Sequence, residues 1–478
     1  MAPTHDFDDD QLATALRVLE QAQFLGEDDP AYVALRRACG KFYKDVKKQR
    51  RIAKRDAVAA ADRAVVESTA TGSPTRIDDE TAGIPLVSNA RGASAGTLIV
   101  PRACYVCKTK YTQVDAFYHQ LCPDCAATHH AKRDASTDLT GKRALLTGGR
   151  AKIGMYIALR LLRDGAHTTI TTRFPRDAVR RFRAMPDSAE WMHRLKVVGI
   201  DLRDPAQVMA LADDVAAAGP LDVLINNAAQ TVKRTPGAYS AIAEAENTPL
   251  EAGAMPELVT FGHTSDAHPA ALVGSVATQA VMAADHVTAE QLTEQALTAG
   301  SADLTRIDAG GLLPDHVDTN SWVQTVEEID PLELLEVQLC NQTAPFILIS
   351  RLRPSMAASA ARRTYVVNVS AMEGQFSRAY KGPGHPHTNM SKAALNMLTR
   401  TSSTEMLETD RILMTAVDTG WITDERPHVT KVRLAEEGFK APLDLVDGAA
   451  RVYDPIVRGE AGEDVHGVFL KDFEPSPW

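Results

Sequence analysis

The sequence has few of the features that mark membrane, secreted or nucleic-acid-binding proteins. Aromatic residues make up 5% of its 478 residues, it contains 6 cysteines, and its net charge is −10. No apolar run approaches the ~20 residues that a bilayer crossing needs, and the opening residues, MAPTHDFDDD, lack the basic-then-apolar pattern of a secretory signal. The acidic balance disfavours nucleic acid and anionic membranes as general partners. We therefore expect a cytoplasmic protein.

The stretch from Arg143 to Arg173 carries the strongest structural pattern, and it reads RALLTGGRAKIGMYIALRLLRDGAHTTITTR. A short apolar run leads into a glycine loop, an amphipathic segment with helical spacing follows, and a second β-rich run comes after Gly165. In such a strand–loop–helix–strand unit, the loop glycines let backbone N–H groups and the helix N-terminus approach a pyrophosphate. The pattern predicts a dinucleotide-binding α/β fold.

The glycine loop, Thr147–Gly154, resembles the TGxxxGxG signature of the short-chain dehydrogenase/reductase family, with Lys152 at the middle glycine. Further family-like segments follow in the order Asp201-Leu202, Asn226-Asn227-Ala228-Ala229, Asn341 in CNQTAPF, Asn368-Val369-Ser370, Lys392 in MSKAALNML and Thr419–Thr423. The resemblance spans residues 138–478 and implies a doubly wound, parallel-sheet Rossmann domain of the α/β class. It also implies a small-molecule substrate and assembly into a homo-oligomer, a dimer or a tetramer.

The resemblance implies a coenzyme site at the carboxyl ends of the strands. Its predicted contacts are Thr147, Gly148, Arg150, Lys152, Ile153, Gly154, Arg173, Asp201, Leu202, Asn227, Ala228, Lys392, Gly420 and Ile422. By resemblance, Asp201, which follows the third strand, contacts the adenine. An NAD site places an acid at the end of the second strand to accept from the ribose 2′-OH. This chain has Arg173 there and Arg150 in the loop, and two guanidinium groups suit a 2′-phosphate. We therefore predict NADP(H); the alternative is that Arg173 is a solvated surface charge.

Family members use a Ser–Tyr–Lys–Asn set, and the catalytic candidates here are Asn341, Ser370, Thr388 and Lys392. The family tyrosine lies four residues before the lysine, on the same helix face, and Thr388 occupies that position. A phenol beside an ammonium can exchange a proton near neutrality, whereas an aliphatic hydroxyl is a poor donor. By resemblance, Lys392 holds the nicotinamide ribose and Asn341 holds a helix bulge and its water. Thr388 and Ser370 hydrogen-bond the substrate, although Ala371 occupies the place of the family's working serine.

Three interpretations follow from the missing tyrosine. In the first, another acid replaces it, and Tyr380, His385 and His387 all fall in the segment before Lys392. In the second, hydride goes to a substrate that needs little acid assistance. In the third, the fold keeps its nucleotide as a scaffold or sensor, or catalyses a non-redox reaction. We predict an atypical oxidoreductase, as in the first two interpretations, and keep the scaffold or sensor and the non-redox enzyme as alternatives.

Four cysteines ahead of the Rossmann domain form two CxxC pairs, in CYVCKTKYTQVDAFYHQLCPDC. Cys104, Cys107, Cys122 and Cys125 can place four thiolates around one tetrahedral zinc ion. A closed set of this kind favours a structural zinc that staples the N-terminal region to the Rossmann domain, and a pair of disulfides is the alternative. The remaining two, Cys39 and Cys340, are predicted to be buried thiols.

Composition divides the chain into further segments. We expect a helical region at 1–66, a linker at 67–98, the cysteine module at 99–135 and the Rossmann domain at 138–478. The interval between Asn227 and Asn341 is unusually long, which predicts an insertion at 231–322. We expect helices over Tyr239–Glu246 and Ala280–Ala299, and loops over 262–269 and 309–320. The insertion leaves the sheet on the side where substrates bind, so a lid, a pocket wall and an oligomer contact are all open.

Overall fold

The computed structural model of the chain describes residues 7–74, 76, 93–261, 308, 310–422 and 425–478. The α-helices are α1 (Asp9–Ala22), α2 (Pro30–Glu67), α3 (Pro123–Arg133), α4 (Lys152–Arg163), α5 (Pro175–Arg183), α6 (Ser188–Trp191), α7 (Pro205–Ala217), α8 (Ser240–Asn247), α9 (Pro331–Gln338), α10 (Ala344–Ala357), α11 (Pro386–Asp410), α12 (His428–Glu436) and α13 (Leu445–Glu460). The strands are β1 (Ser94–Ala103), β2 (Lys110–Asp115), β3 (Arg143–Leu146), β4 (His167–Thr172), β5 (Leu195–Gly199), β6 (Val223–Asn226), β7 (Glu257–Thr260), β8 (Thr364–Ser370), β9 (Ile412–Asp418), β10 (Phe469–Lys471) and β11 (Glu474–Ser476).

The large sheet is doubly wound, in the order β11-β10-β9-β8-β6-β3-β4-β5-β7. Its strands run parallel except β11, which pairs antiparallel with β10. The chain order reverses between β3 and β6, where successive crossovers depart in opposite directions. A crevice therefore opens at the carboxyl ends of these two strands, which is where sheets of this type bind ligands.

Helices cover both faces of the sheet, which explains why its central strands are buried on both sides. On one face α4 and α13 contribute Ile157, Leu161, Val452 and Ile456 to a single apolar cluster. On the other face α7 and α10 contribute the buried side chains Val208, Leu211, Leu348 and Leu352. The predicted α/β class and Rossmann topology are confirmed.

The N-terminal helices begin where their capping residues predict. Asp29 accepts a hydrogen bond from the Ala31 amide at 2.8 Å and Pro30 fills the first helical position, so α2 starts there. Near the other end of α2, the buried Asp62 carboxylate accepts from the amides of Ile99 and Val100 at 2.6 and 3.1 Å. This contact fastens α2 to β1.

Three expectations need correction. Residues 94–103 form β1, so the predicted linker is wrong at its C-terminal end; pairing with β2 makes a strand of a segment that begins with Ser, Ala and Gly. The insertion contributes β7, which extends the sheet beside β5 and was not predicted. Cys39 is exposed on α2, because much of that helix is solvated.

The helix predicted at Tyr239–Glu246 corresponds to α8 and the 3₁₀ turn Pro236–Tyr239 before it. The predictions at 262–269 and Ala280–Ala299 lie outside the described residues. Among the helices that the structure describes, none combines the length and the apolar composition that a membrane crossing requires.

The cysteine module packs on α13 through buried charges. The Tyr118 hydroxyl donates to Asp447 at 2.6 Å, and Arg133 lies 2.5 Å from Asp444 and 3.0 Å from Asp447. Lys132 adds an ion pair to Asp454 at 2.5 Å. Removing one partner of such a buried pair is strongly destabilising, because it leaves an uncompensated charge. The module is therefore an integral part of the fold.

Candidate active site

A cavity of about 720 Å³ occupies the crevice at the carboxyl edge of the sheet. It extends from the glycine turn after β3, past the ends of β4, β5 and β6, to the segment that precedes α9. The predicted coenzyme contacts that line it are Gly148, Arg150, Lys152, Ile153, Gly154, Arg173, Asp201, Leu202, Asn227 and Ala228. The cavity therefore brings together residues from four separate segments of the chain.

The glycine turn is shaped by two features that only glycine allows. Gly148 has φ +69°, a left-handed conformation that a side chain disfavours. A Cβ on Gly154 would lie 2.0 Å from the Gly148 carbonyl oxygen, so α4 can start this close to the turn only without a side chain. Thr147 anchors the turn, since its hydroxyl accepts from the amides of Asn227 and Ala228 at 3.0 Å each.

Lys152 connects the turn to the insertion. It has φ +52°, and its Nζ lies 3.2 Å from Oδ2 of Asp308. Burial disfavours the charged form of Asp308, but Lys152 and the Leu312 amide hold the pKa of its carboxyl below the usual value. The insertion therefore closes over the turn at this point and forms part of the cavity wall, one of the roles expected for it.

The two predicted 2′-phosphate ligands differ in their partners. Arg150 is held by Asp177, at 2.5 Å. Arg173, directly after β4, lies over the rings of Phe174 and Tyr239, 5.7 and 5.6 Å from their centroids. In the part of the chain that the structure describes, Arg173 forms no ion pair. Its guanidinium is therefore the one of the two that is available for a bound phosphate.

The predicted adenine contacts are also buried. Asp201 accepts from Nη2 of Arg203 at 2.7 Å, and Nη1 of Arg203 donates to Glu336 at 2.8 Å. Leu202 is 8% exposed and lines the cavity beside them. The carboxylate of Asp201 is thus already engaged, and its adenine contact stays a prediction.

Asn341 lies in a π-helical turn, Leu339–Thr343, between α9 and α10. Its Oδ1 accepts from the Gln230 amide at 2.7 Å, and its Nδ2 donates to the Gln230 carbonyl at 2.9 Å. The helix bulge that the resemblance implied at this residue is present. It ties α9 and α10 to the segment after β6.

Lys392, on α11, is buried, and its Nζ donates to the Val369 carbonyl at 2.8 Å. Burial lowers the pKa of Lys392 from 10.5 to about 8. Ser370 donates to Oδ1 of Asn396 at 2.6 Å, away from Thr388. Thr388 is 3% exposed, and its hydroxyl has no hydrogen-bond partner among the described residues. None of these three candidates lines the cavity.

The possible replacements for the tyrosine are in different environments. Tyr380 is 74% exposed. His385 stacks on Trp322, with ring centroids 3.9 Å apart, and burial lowers the pKa of its imidazole. His387 is 1% exposed, and its Nε2 lies 3.8 Å from Oε1 of Glu333. None of the three lines the cavity, although Nε2 of His387 faces a carboxylate of its wall.

Glu333 is a site residue that sequence reasoning missed. It lines the cavity and accepts from the Ser321 hydroxyl at 2.6 Å and from the Lys233 amide at 3.0 Å. Burial disfavours its charged form, but His387, Ser321 and the Lys233 amide hold the pKa of its carboxyl below the usual value. An acid in the first turn of a predicted helix is common, so no sequence signal distinguished it.

The loop after β9 contacts the cysteine module. Gly420 has φ +80°, and the Trp421 amide donates to the Tyr105 hydroxyl at 3.0 Å. Ile422 is buried in the same apolar cluster as Ile153 and residues of the module. Thr423, the last residue of this motif, lies outside the described residues.

The four predicted metal ligands converge. Cys104 and Cys107 follow β1, whereas Cys122 caps α3 and Cys125 lies in its first turn. Their Sγ atoms all lie within 4.8 Å of one another, and those of Cys107 and Cys122 are 3.6 Å apart. Four thiolates around one zinc ion at about 2.3 Å lie ~3.8 Å apart, so the cluster fits a closed tetrahedral site.

A family model described as short chain dehydrogenase matches residues 142–248. An uncharacterized protein, R665, of Acanthamoeba polyphaga mimivirus is 31% identical over 370 residues, which cover 74% of this chain and 71% of that protein. The ketoacyl reductase HetN of Nostoc is 34% identical over 107 residues, covering 22% of this chain and 36% of its own length.

Two solved structures are also similar. The Pseudomonas aeruginosa RhlG/NADP complex has a TM-score of 0.43 and 18% identity, covering 70% of this chain and 95% of that one. The NADPH-bound carbonyl reductase from chicken fatty liver has a TM-score of 0.42 and 18% identity, covering 71% of this chain and 100% of that one.

The depressed pKa of Lys392 predicts a pH-dependent stability. Between pH 8 and 10.5 the unfolded chain binds the proton that the buried amine has lost, so this residue's contribution to stability rises with pH. In Lys392→Met that contribution is absent. We expect the free energy of unfolding of wild type to gain ~1.4 kcal/mol per pH unit relative to the variant in this window.

Urea unfolding at pH 7.5, 8.5 and 9.5 measures this difference. The matched control is Lys47→Met, which neutralises an exposed lysine on α2. A difference between wild type and Lys392→Met that stays constant over the three pH values contradicts the buried, proton-deficient state of Lys392.

Proposed function

Because the chain belongs to the short-chain dehydrogenase/reductase family, we propose that it is an atypical NADP(H)-dependent oxidoreductase that transfers hydride to or from a small-molecule substrate. The observation that carries the proposal is Arg173, a cavity-lining guanidinium without a carboxylate partner in the described chain, at the end of β4. An acid at this position would repel a 2′-phosphate, whereas a guanidinium attracts it.

The coenzyme supplies or accepts the hydride when bound. The turn from Gly148 to Gly154 would receive its pyrophosphate on backbone amides and the N-terminus of α4. Arg173 would hold the 2′-phosphate against the rings of Phe174 and Tyr239. Lys392 would hold the nicotinamide ribose once its ammonium leaves the Val369 carbonyl.

Proton transfer falls to His387 in this proposal. Thr388 occupies the family tyrosine's position, and its aliphatic hydroxyl is too weak an acid. His387 precedes it on α11, and its Nε2 lies 3.8 Å from Oε1 of Glu333. Nδ1 of His387 would give its proton to the substrate oxygen, while Glu333, which faces Nε2, would hold the ring in position.

A second candidate function is a nucleotide-binding scaffold or sensor without turnover. It is favoured by the burial of Lys392, Thr388 and Ser370 outside the cavity wall. The two candidates differ in one measurable property, since a scaffold binds NADPH without oxidising it in the presence of any carbonyl compound.

We also propose that Cys104, Cys107, Cys122 and Cys125 hold a structural zinc ion. The mutual distances of the thiols support this assignment, as does the position of the module between α13 and the loop after β9. Four cysteines close the coordination shell, so the ion would stabilise the fold and take no part in the reaction.

Arg173→Gln tests the coenzyme assignment. Since only NADPH carries the 2′-phosphate, we expect its dissociation constant to rise at least about tenfold, the effect of losing one charged hydrogen bond. The dissociation constant of NADH should stay within about twofold. Isothermal titration calorimetry measures both, and Arg351→Gln, on the exposed side of α10, is the matched control. Equal weakening for the two coenzymes contradicts the assignment.

His387→Gln tests the proton donor. In single-turnover oxidation of bound NADPH with a panel of small ketones and aldehydes, both neutral and bearing a carboxylate or a phosphate, we expect the rate to fall ~10²–10⁴-fold, the range of general acid catalysis. NADPH affinity should be unchanged. His385→Gln and Thr388→Val are the controls, each expected to stay within about threefold of wild type. If Thr388→Val lost the activity and His387→Gln kept it, the assignment of the proton donor to His387 would be wrong.

Metal analysis tests the zinc centre. Freshly purified, reduced protein should contain about one zinc per chain, and Cys104→Ser should lower both the zinc content and the unfolding temperature. Cys39→Ser removes an exposed thiol on α2 and should change neither. Metal-free protein whose four cysteines are found as disulfides by mass spectrometry would refute the assignment.

A further inference from the structure

The cationic side chains of the cavity wall are Arg150, Lys152, Arg173, Arg203, Lys233 and Arg234. Four of them lie within 3.2 Å of a carboxylate oxygen. Arg150 pairs with Asp177, Lys152 with Asp308, Arg203 with Asp201 and Glu336, and Arg234 with Glu425. Over the described residues, Arg173 and Lys233 have no such ion pair.

Lys233 is in the more costly position of the two. Its Nζ is shielded from solvent and has no hydrogen-bond partner in the described chain. A buried ammonium without a counter-charge is strongly unfavourable, so such a group is retained where a bound anion supplies the charge. Arg173 is assigned to the 2′-phosphate, which leaves Lys233 for a second anion.

The backbone of Lys233 places this residue beside the proposed proton donor. Its amide donates to Oε1 of Glu333 at 3.0 Å, and the same oxygen faces Nε2 of His387 at 3.8 Å. The residue thus lies at the end of the cavity that borders α9 and α11. Arg173, by contrast, follows β4 and contacts the rings of Phe174 and Tyr239.

The acids near Lys233 are already committed to other donors. Glu333 accepts from the Ser321 hydroxyl, and Asp315 accepts from the amide and hydroxyl of Thr235. Glu328 accepts from the amide and hydroxyl of Thr325. Each lines the cavity, yet none is within ion-pair distance of Lys233.

We propose that the substrate is an anion bearing a carboxylate or a phosphate monoester. This group pairs with the ammonium of Lys233, which turns from its shielded position into the cavity that the residue lines, while the reacting carbon of the substrate lies near His387. This inference rests on the proposed oxidoreductase function, since it names the substrate class of the same cavity. Neutral ketones, aldehydes and alcohols would lack the contact and would be poor substrates.

The test is calorimetric titration of NADP⁺-saturated protein with sodium acetate and with inorganic phosphate, the two anionic groups alone. Saturation with NADP⁺ occupies Arg173, so that residue cannot bind the probe. We expect wild type to bind at least one of the two anions, and Lys233→Met to weaken that binding at least tenfold. Lys233→Arg should retain it, because the charge is kept. The control is Lys142→Met, which removes a lysine that pairs with Glu460 and does not line the cavity. It should leave anion binding unchanged.

Three outcomes overturn the inference. In the first, neither anion binds to wild type. In the second, Lys233→Met binds the anion as wild type does. In the third, Lys233→Met weakens NADP⁺ itself by the same factor as the anion, which would place Lys233 in the coenzyme site. If the chain takes up no NADP⁺, the proposed function fails, and the same titration on Arg173→Gln protein without coenzyme still decides whether Lys233 binds an anion.

Discussion

The close approach of Gly154 to the Gly148 carbonyl is the contact on which the site depends. A single Cβ at Gly154 would lie 2.0 Å from that oxygen, so the first turn of α4 can enter the crevice only because the side chain is absent. The hydroxyl of Thr147 fixes the turn from the other side by accepting from two amides of the segment after β6. The N-terminus of α4 is thereby aimed at the point where the strand order reverses, which is the position a diphosphate needs.

The N-terminal extension supports this site through two contacts that reach its loops. The Tyr105 hydroxyl, between two of the cysteines, accepts from the Trp421 amide in the loop after β9. Ile153 of α4 and Ile422 of that loop belong to the apolar cluster of the cysteine module. A metal that stabilised the module would therefore also stabilise the start of α4 and the loop after β9. The extension and the Rossmann domain form one structural unit for this reason.

Local patterns predicted the parts of the fold that local sequence determines. The glycine turn after β3 and the helix α4 that follows it come from the loop glycines and from the amphipathic spacing. The convergence of the four cysteines was predictable from the spacing of their two CxxC pairs. The π-helical turn at Asn341 followed from the family resemblance.

Features that depend on distant partners were not predictable. β7 joins the sheet only because β5 offers an open edge. Arg150 is paired with Asp177, which lies in the first turn of α5. Glu333 and His387 are 54 positions apart in the sequence, and they come close only because α9 packs on α11. That Nζ of Lys233 has no hydrogen-bond partner among the described residues follows from the folded structure and from no local pattern. Homo-oligomerisation stays a prediction.

Uptake of coenzyme by the intact, purified chain tests the central claim most directly. Calorimetric titration with NADPH and with NADH, under the same buffer and salt, compares the two. The geometry around Gly148 and Arg173 predicts saturable binding of both, with NADPH at least about tenfold tighter because a guanidinium meets its 2′-phosphate. No binding of either coenzyme, oxidised or reduced, would contradict the account.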